Sequence, residues 1–592
     1  LAHRVCDRLR LAGGHDCVDA IIDESIFMTP IGWIVLLTTV LGIVGYGLWT
    51  VRGHHSASDY LRGGGDLKWG TIGLSVMATQ ASAITFLSTP GQGYEGGLAF
   101  VQNYLGLPIA MIVICAVFIP IYYRLKVTTA YEFLGQRFDQ KTRLLAAGLF
   151  LVQRGLAAGI TIYAPAIIVS SVFYWPLQPT ILLTGILVIL YTVTGGTRTV
   201  SLTQKYQMLI ILIGMTIAFG YVVNGLPAEV SFGDALYIAG MHDRLEAISF
   251  SVDPSTRYTI WTGLIGGTFL ALSYFGTDQS QVQRYLAGSS VTASRWGLMF
   301  NAVLKIPMQF AILLLGVLLF VFYHFQQPPI FYNEAAIEQV SSEVRAPIES
   351  EFREAFASRG ALLETALSER AQSGAASAET RAGILEQTEL MDVQRSAFKT
   401  ALTEANPDAD TQDADYIFLN FVLGYLPGGL VGLLVAVIFL AAMSSTASEL
   451  NALASTTMND GYKTLVHTTG KDGHYVWVAR ILTLVWGVVA VSFAMTLTLF
   501  DNLIEAVNII GSLFYGTILG IFLVAFFFKR IGGHAAFFAG VCAECIVLAL
   551  YFSPMDIGYL WFNLIGCILA VIIAVLAQGI LPKGQTNAIE SV

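Results

Sequence analysis

Long, nearly uncharged apolar runs recur along this chain, and they leave few folds open to it. Residues 31–50, 100–123, 178–194, 207–223, 298–323, 420–443, 476–500, 509–528 and 556–581 are each such a run. A helix needs about 20 apolar residues to cross a hydrocarbon core of roughly 30 Å. In lipid only helices and closed barrels satisfy every backbone polar group, and continuous runs lack the alternation of barrel strands. Only 12% of the 592 residues are charged, about half the share in an ordinary soluble domain. The chain therefore reads as an all-α, multi-pass membrane protein.

The runs resolve into about thirteen spans, near 28–50, 69–93, 98–123, 142–174, 178–194, 200–224, 259–284, 298–323, 416–460, 475–500, 503–528, 534–553 and 557–581. Basic residues collect in alternate loops: Arg52, Arg62 and Lys68; Arg124, Lys126, Arg137, Lys141 and Arg143; Arg198 and Lys205; Lys463 and Lys471; Lys529 and Arg530. With positive charge inside, the N-terminus is expected outside and the C-terminus inside. Residues 1–27 are polar, lack the apolar core of a signal peptide and precede Met28, the expected native start.

The membrane domain is expected in two parts, 28–329 and 416–592, around a helical insertion at 330–415 on the external side. Within it Ile337, Val340, Val344, Ile348, Phe352 and Phe356 recur at helical spacing, and a second amphipathic stretch runs near Leu385–Leu402. A solvated insertion is the plainer expectation; a lid or a protein-partner surface is the other. "NPDADTQDAD" lacks the central glycine and twelfth-position glutamate of a calcium loop and reads as an acidic linker. Cys115, Cys542, Cys545 and Cys567 lie in apolar runs and suit buried hydrophobes. All nine histidines read as terminal or loop residues, which offers no buried metal centre and points away from a metalloenzyme.

Chemistry is expected where polar residues interrupt an apolar helix, because irregular backbone at membrane depth survives only when it lines a cavity. Two segments qualify: "SVMATQASAITFLSTPGQGY", ending at Tyr94, and "AAMSSTASELNALASTTMND", residues 441–460. Both are expected to break their helices. Neutral hydroxyls and carbonyls are hard oxygen donors that can replace a sodium ion's hydration and still release it. Small-residue helix packing is the alternative explanation.

The motifs "DYLRGGGDLKWG", "FIPIYYRLKVTTAYEFLGQRFDQKTR", "YTVTGGTRTVSLTQKYQ", "YFGTDQSQVQRYLAGSS" and "FLNFVLGYLPGGLVGLLVAVIFLAAMSSTASELNALASTTMND" resemble, in order and spacing, those of the sodium/solute symporters. The resemblance covers roughly 30–530 outside the insertion. It implies a LeuT-like core of two inverted five-helix repeats, with one helix before and two after. Carried onto this sequence, the main sodium site falls on the carbonyls of Ala78, Ala81 and Ala441 and the hydroxyls of Ser444 and Ser445. A second sodium site found in some members needs an Asp where this chain has Gln204 and a Ser where it has Ala447, keeping only Ser448, so a single coupled sodium is expected.

At the sugar-contacting positions of the family this chain has Ile84, Thr85, Tyr104, Ala271 and Val507, a set too apolar for a polyol. "SAITFLSTPGQGYEGG" and its neighbours resemble most the multivitamin, monocarboxylate and iodide branch, whose substrates are anions. Arg154 lies about eleven residues, roughly 16 Å, into its helix, and an Arg at that depth usually faces the bundle interior. Anion binding, a structural ion pair and snorkelling are its three readings; Glu449, Glu505 and Glu544 are the other ionisable residues singled out within spans. Gln80, Ser82, Thr85, Tyr104, Arg154 and Tyr274, the last at an aromatic-gate position, form the candidate substrate set.

The expected activity is sodium-coupled import of a small organic solute, an anion, by alternating access across a cell (inner) membrane. The absence of any N-x-[ST] acceptor points to a bacterial inner membrane. The partners are the bilayer, sodium and the solute, with no cofactor, no nucleic acid and no covalent chemistry. The alternatives are a proton-coupled or neutral-solute carrier, and a nutrient sensor built on a transporter scaffold.

Overall fold

The computed structural model describes residues 29–50, 65–173, 175–407, 409–467, 472–497 and 502–582. Residues 1–27, with the expected start at Met28, lie outside them. Among the described residues the only β pairing is one isolated bridge between Leu67 and Gly288. Among the same described residues nine helices are long and apolar enough to cross a membrane, or ten with one bent pair counted as a single span.

That bent pair is α1, Trp69–Gln80, and α2, Ala83–Gly96, which meet at 59°. The chain leaves helical geometry at Ala81 (φ −85°, ψ 72°) and Ser82 (φ −74°, ψ 176°). Past the break, α2 packs at backbone contact on α3, Val291–Phe325: a Cβ on Gly93 would stand 2.3 Å from the Leu313 carbonyl, and one on Gly316 2.0 Å from the Pro90 carbonyl. Only glycine permits so close an approach.

The second segment behaves differently. Residues 441–456 belong to one unbroken helix, α4, Gly428–Thr456, and only 457–462 widen into a π turn. This corrects the expectation of a second broken helix. The hydroxyls bond back along their own helix, Ser444 Oγ to the Ala441 carbonyl at 2.9 Å and Ser448 Oγ to the Ser444 carbonyl at 2.9 Å. A hydroxyl satisfied this way does not melt the turn.

Three further boundaries differ from the sequence reading. The 259–284 span ends as a helix at Gly276, and a new helix, α5, Gln279–Leu286, begins with Asp278 as N-cap, its carboxylate accepting from Ser280 N at 2.8 Å. The 416–460 span is parted by Leu426–Pro427 into Ile417–Tyr425 and α4. Conversely, 178–194 and 200–224 form one 48-residue helix, Leu177–Asn224. At about 1.5 Å per residue that length is more than twice a hydrocarbon core.

Residues 342–405 form a helical hairpin, α6, Ser342–Ser373, and α7, Ala378–Ala405, turned at Gly374 (φ 88°). Phe352, Ala355, Arg359 and Leu363 of α6 are buried, as are Ile384, Met391, Phe398 and Leu402 of α7. The periodic stretch read through Ile337 and Val340 is not one helix: a short turn ends at Ile337 and α6 starts at Ser342. His324 is also not a loop residue; it sits buried in the last turn of α3, 3.2 Å from His242.

Candidate functional site

The break at Ala81–Ser82 faces a cavity of about 110 Å³ inside the bundle. Gln80, Ser82, Thr85, Tyr104, Arg154 and Tyr274 all line it, together with Ile84, Ala271 and Val507. Five separate elements thus bring the whole candidate substrate set to one space.

Arg154 is the electrostatic centre. It is carried by the helix Gln140–Phe173, and its side chain is 2% exposed. It pairs with Asp278 and donates to Glu449 Oε1 at 3.0 Å and to the Tyr515 hydroxyl at 2.5 Å. Tyr515 in turn donates to Asp278 Oδ2 at 2.9 Å. The guanidinium carbon also stands 5.4 Å from the centre of the Tyr274 ring, a cation–π contact. Arg154 Nε has no hydrogen-bond partner. Glu449 Oε2 has none either, and the Thr161 hydroxyl beside it bonds to the Ala157 carbonyl at 3.0 Å instead. Lys305 of α3, 1% exposed, places its ammonium 5.3 Å from the Tyr104 ring, behind the cavity wall.

Asp278, Tyr515 and Lys305 were not singled out from sequence. Asp278 carried a signal, an acid two residues before a Ser in "GTDQS", which is N-cap chemistry where a helix was expected to continue. Lys305 carried the signal that marked Arg154, a charge inside a predicted span, and was passed over; Tyr515 carried none, since it reads as one aromatic in an apolar run.

Ala78, Ala81, Ala441, Ser444 and Ser445, the residues expected at the sodium site, are all buried, at 1% exposure or less. Ser445 Oγ, on α4, meets the Ala78 carbonyl of α1 at 3.4 Å, and Ser444 reaches back to Ala441. Because α1 stops at Gln80, its last carbonyls lose their intrahelical donors: Ala81 N closes on Met77 O at 2.7 Å, and Ala78 O receives only the long Ser445 contact. An oxygen set of neutral carbonyls and hydroxyls with weak mutual bonds fits a weakly held monovalent cation. Beside it Gln204 Nε2 donates to Thr79 Oγ1 at 3.1 Å and Ser448 Oγ at 3.0 Å, while its Oε1 accepts from Ser75 Oγ at 2.6 Å.

A helix broken at a buried polar cavity within an apolar bundle is the architecture of a membrane carrier. The chain matches the Sodium:solute symporter family over residues 60–346 and 370–543. It belongs to that family of membrane transporters. The unmatched stretch, 347–369, falls within α6. The human sodium/iodide cotransporter is 34% identical over 310 residues, 52% of this chain and 47% of that one. The sodium-coupled monocarboxylate transporter 1 of Xenopus laevis is 26% identical over 502 residues, 85% of this chain and 68% of that one. The chain thus spans about half the length of the first relative and two thirds of the second. A sodium-coupled sialic acid symporter, solved substrate-bound and outward-open, shares the fold with a TM-score of 0.73 at 23% identity, over 95% of this chain and all of that one.

Proposed function

We propose that this protein couples the inward sodium gradient to import of a small organic anion, held in the cavity at the Ala81–Ser82 break. The observation that carries this reading is Arg154, a cation buried in the cavity wall with an uncommitted Nε donor. The small, largely apolar cavity suits a short carboxylate better than a polyol. The relatives named for iodide and for monocarboxylates favour the same substrate charge.

One sodium ion is held by Ala78, Ala81, Ala441, Ser444 and Ser445, and the Gln204 amide fills the position a second cation would need. Gln80, Ser82, Thr85 and Tyr104 line the solute, and Tyr274 stands against Arg154 as the aromatic gate. Inward movement of one sodium at a potential of ~100 mV supplies about 2.3 kcal/mol before any concentration term. Thirteen spans in two inverted five-helix repeats, N-terminus outside, is the topology we assign, and it requires the chain to reverse between 193 and 200, where one continuous helix, Leu177–Asn224, runs; the shorter apolar helices Pro30–Ile43 and Thr262–Gly276 support counting beyond ten. The α6–α7 hairpin is then external.

A second reading rests on Glu449. Its unpartnered Oε2 lines the same cavity and favours a solute that also carries a donor, such as a zwitterionic amino acid. Thermal-shift screening of the purified protein in sodium and in choline separates these readings. Stabilisation by carboxylates only in sodium supports the anion symporter, since a ligand of the folded state raises its apparent stability. Hits confined to amino acids support the second reading, and hits indifferent to sodium remove the coupling site from these residues.

A further inference from the structure

A second cavity, about 260 Å³, lies where the hairpin meets the end of α2 farthest from the break. Tyr94 and Glu95 of α2, Arg244, Arg359 of α6 and Asp392 and Arg395 of α7 are in its wall, with Lys399 and Asp413. From Ser82 to Tyr94 is twelve residues, roughly 18 Å along the helix, so this space is separate from the cavity around Arg154.

Its charges are unevenly spent. Arg395 and Lys399 share Asp413, at 3.9 and 3.4 Å, and Arg395 also donates to the Pro329 carbonyl at 2.9 Å. Arg359 is 3% exposed and donates Nη2 to the Tyr323 carbonyl at 3.1 Å, but its Nε has no partner. Arg244 lies against the Phe320 ring at 4.9 Å, and its buried Nε is also unpartnered. Glu95 and Asp392 are the remaining acids. Four cations against three acids leave one positive charge over, and two guanidinium donors without acceptors. Burial first, then the charges of Arg359, Arg244 and Arg381, push the neighbouring His242 down to about 3, so the ring stays neutral and the local field is that of the arginines.

A buried guanidinium with an open N–H is an incomplete arrangement unless an acceptor completes it. We propose that this cavity is a second binding site, for a small carboxylate anion, held by Arg244 and Arg359 under the α6–α7 hairpin. It contains none of the oxygens assigned to sodium, so it binds its anion without sodium. The assignment does not depend on the function proposed for the central cavity.

The test is equilibrium binding of labelled pyruvate to the purified full-length protein in choline chloride, free of sodium. One saturable site is expected, weakened at least ten-fold in Arg244→Gln and in Arg359→Gln, because charge-assisted bonds are lost. The double variant Arg154→Gln/Glu449→Gln, which removes the central cation without leaving a buried acid unpaired, should leave it unchanged. Arg244 is a loop residue, so its variant keeps the test decisive if Arg359→Gln does not fold. No pyruvate binding in choline chloride, binding untouched by Arg244→Gln, or binding abolished in the folded double variant would each overturn the assignment. Loss of sodium-dependent uptake with this binding intact would count against the central-cavity reading alone.

Discussion

Replacing Arg154 by Gln separates its structural role from its transport role, because its two acids are left in unequal positions. The side chains of Asp278 and Glu449 are 0% and 8% exposed. Without Arg154, Asp278 still accepts from Ser280 N at 2.8 Å, Ser280 Oγ at 2.7 Å and Tyr515 at 2.9 Å. Glu449 loses its charged donor at Oε1 and keeps only the neighbouring Thr161 hydroxyl, which is engaged with the Ala157 carbonyl. Breaking a buried pair costs about 3–5 kcal/mol when the orphan stays charged, and here most of that falls on Glu449. Arg154→Gln should therefore lose about 3 kcal/mol or more of stability in an unfolding titration in mixed micelles. Adding Glu449→Gln should restore most of it; adding Asp278→Asn should restore little. In proteoliposomes both Arg154 variants should fail at sodium-driven carboxylate uptake, including the restabilised double variant. Equal rescue by the two second-site changes would refute the unequal-partner argument. Wild-type uptake by the restabilised double variant would remove Arg154 from substrate binding.

Ser445→Ala deletes one proposed sodium oxygen and only a 3.4 Å hydrogen bond, so folding should change by less than about 1 kcal/mol; the sodium concentration for half-maximal uptake should rise about ten-fold or more, and an unmoved value counts against the site. Gln204→Glu keeps the shape but removes the donors now facing Thr79 and Ser448; the sodium dependence of uptake should turn from hyperbolic to sigmoidal, and a persistent hyperbola would mean the amide is not filling a cation position. Asp410, at the root of the hairpin, has its carboxyl raised to about 6 by burial. A raised carboxyl stabilises below its unfolded value and loses that contribution as pH rises through about 6, so Asp410→Asn should flatten the fall in thermal stability between pH 4 and 7, and an unaltered profile would assign that fall elsewhere.

Hydropathy made the bundle legible, because every span must bring its own apolar surface into lipid. The Ala81–Ser82 break was legible too, from small and hydroxyl residues leading to Pro90. The same composition misled at 441–456, where hydroxyls bond to carbonyls of their own helix instead of ending it. The break before Asp278 was passed over although "GTDQS" holds N-cap chemistry: the helix ends at Gly276 and Asp278 starts the next one. The charge cluster was only partly legible. Arg154 and Glu449 were visible as costly charges within spans, but their pairing spans 295 residues, and the contact with Asp278 spans 124. No local spacing encodes a contact of that range.

The unbroken course of α4 changes how coupling works. Ser445 and Glu449 are four residues apart on one straight helix, hence on one face and about 6 Å apart along it. The first faces the Ala78 carbonyl and the second holds Arg154. On the other side Ala78 and Ala81 belong to the same hinge as Gln80, Ser82 and Thr85. The proposed sodium site is therefore half hinge and half α4, and the solute cavity joins the same hinge to α4 through Arg154 and Glu449. A flexible α4 would let either site close alone, whereas a rigid one makes the separation of α4 from the hinge a single variable that both ligands bias. Sodium at the proposed site, by drawing Ser445 onto the Ala78 carbonyl, would also set the distance from Glu449 and Arg154 to the polar lip of the hinge. Coupling of that kind is reciprocal by linkage, and it needs no contact between sodium and solute.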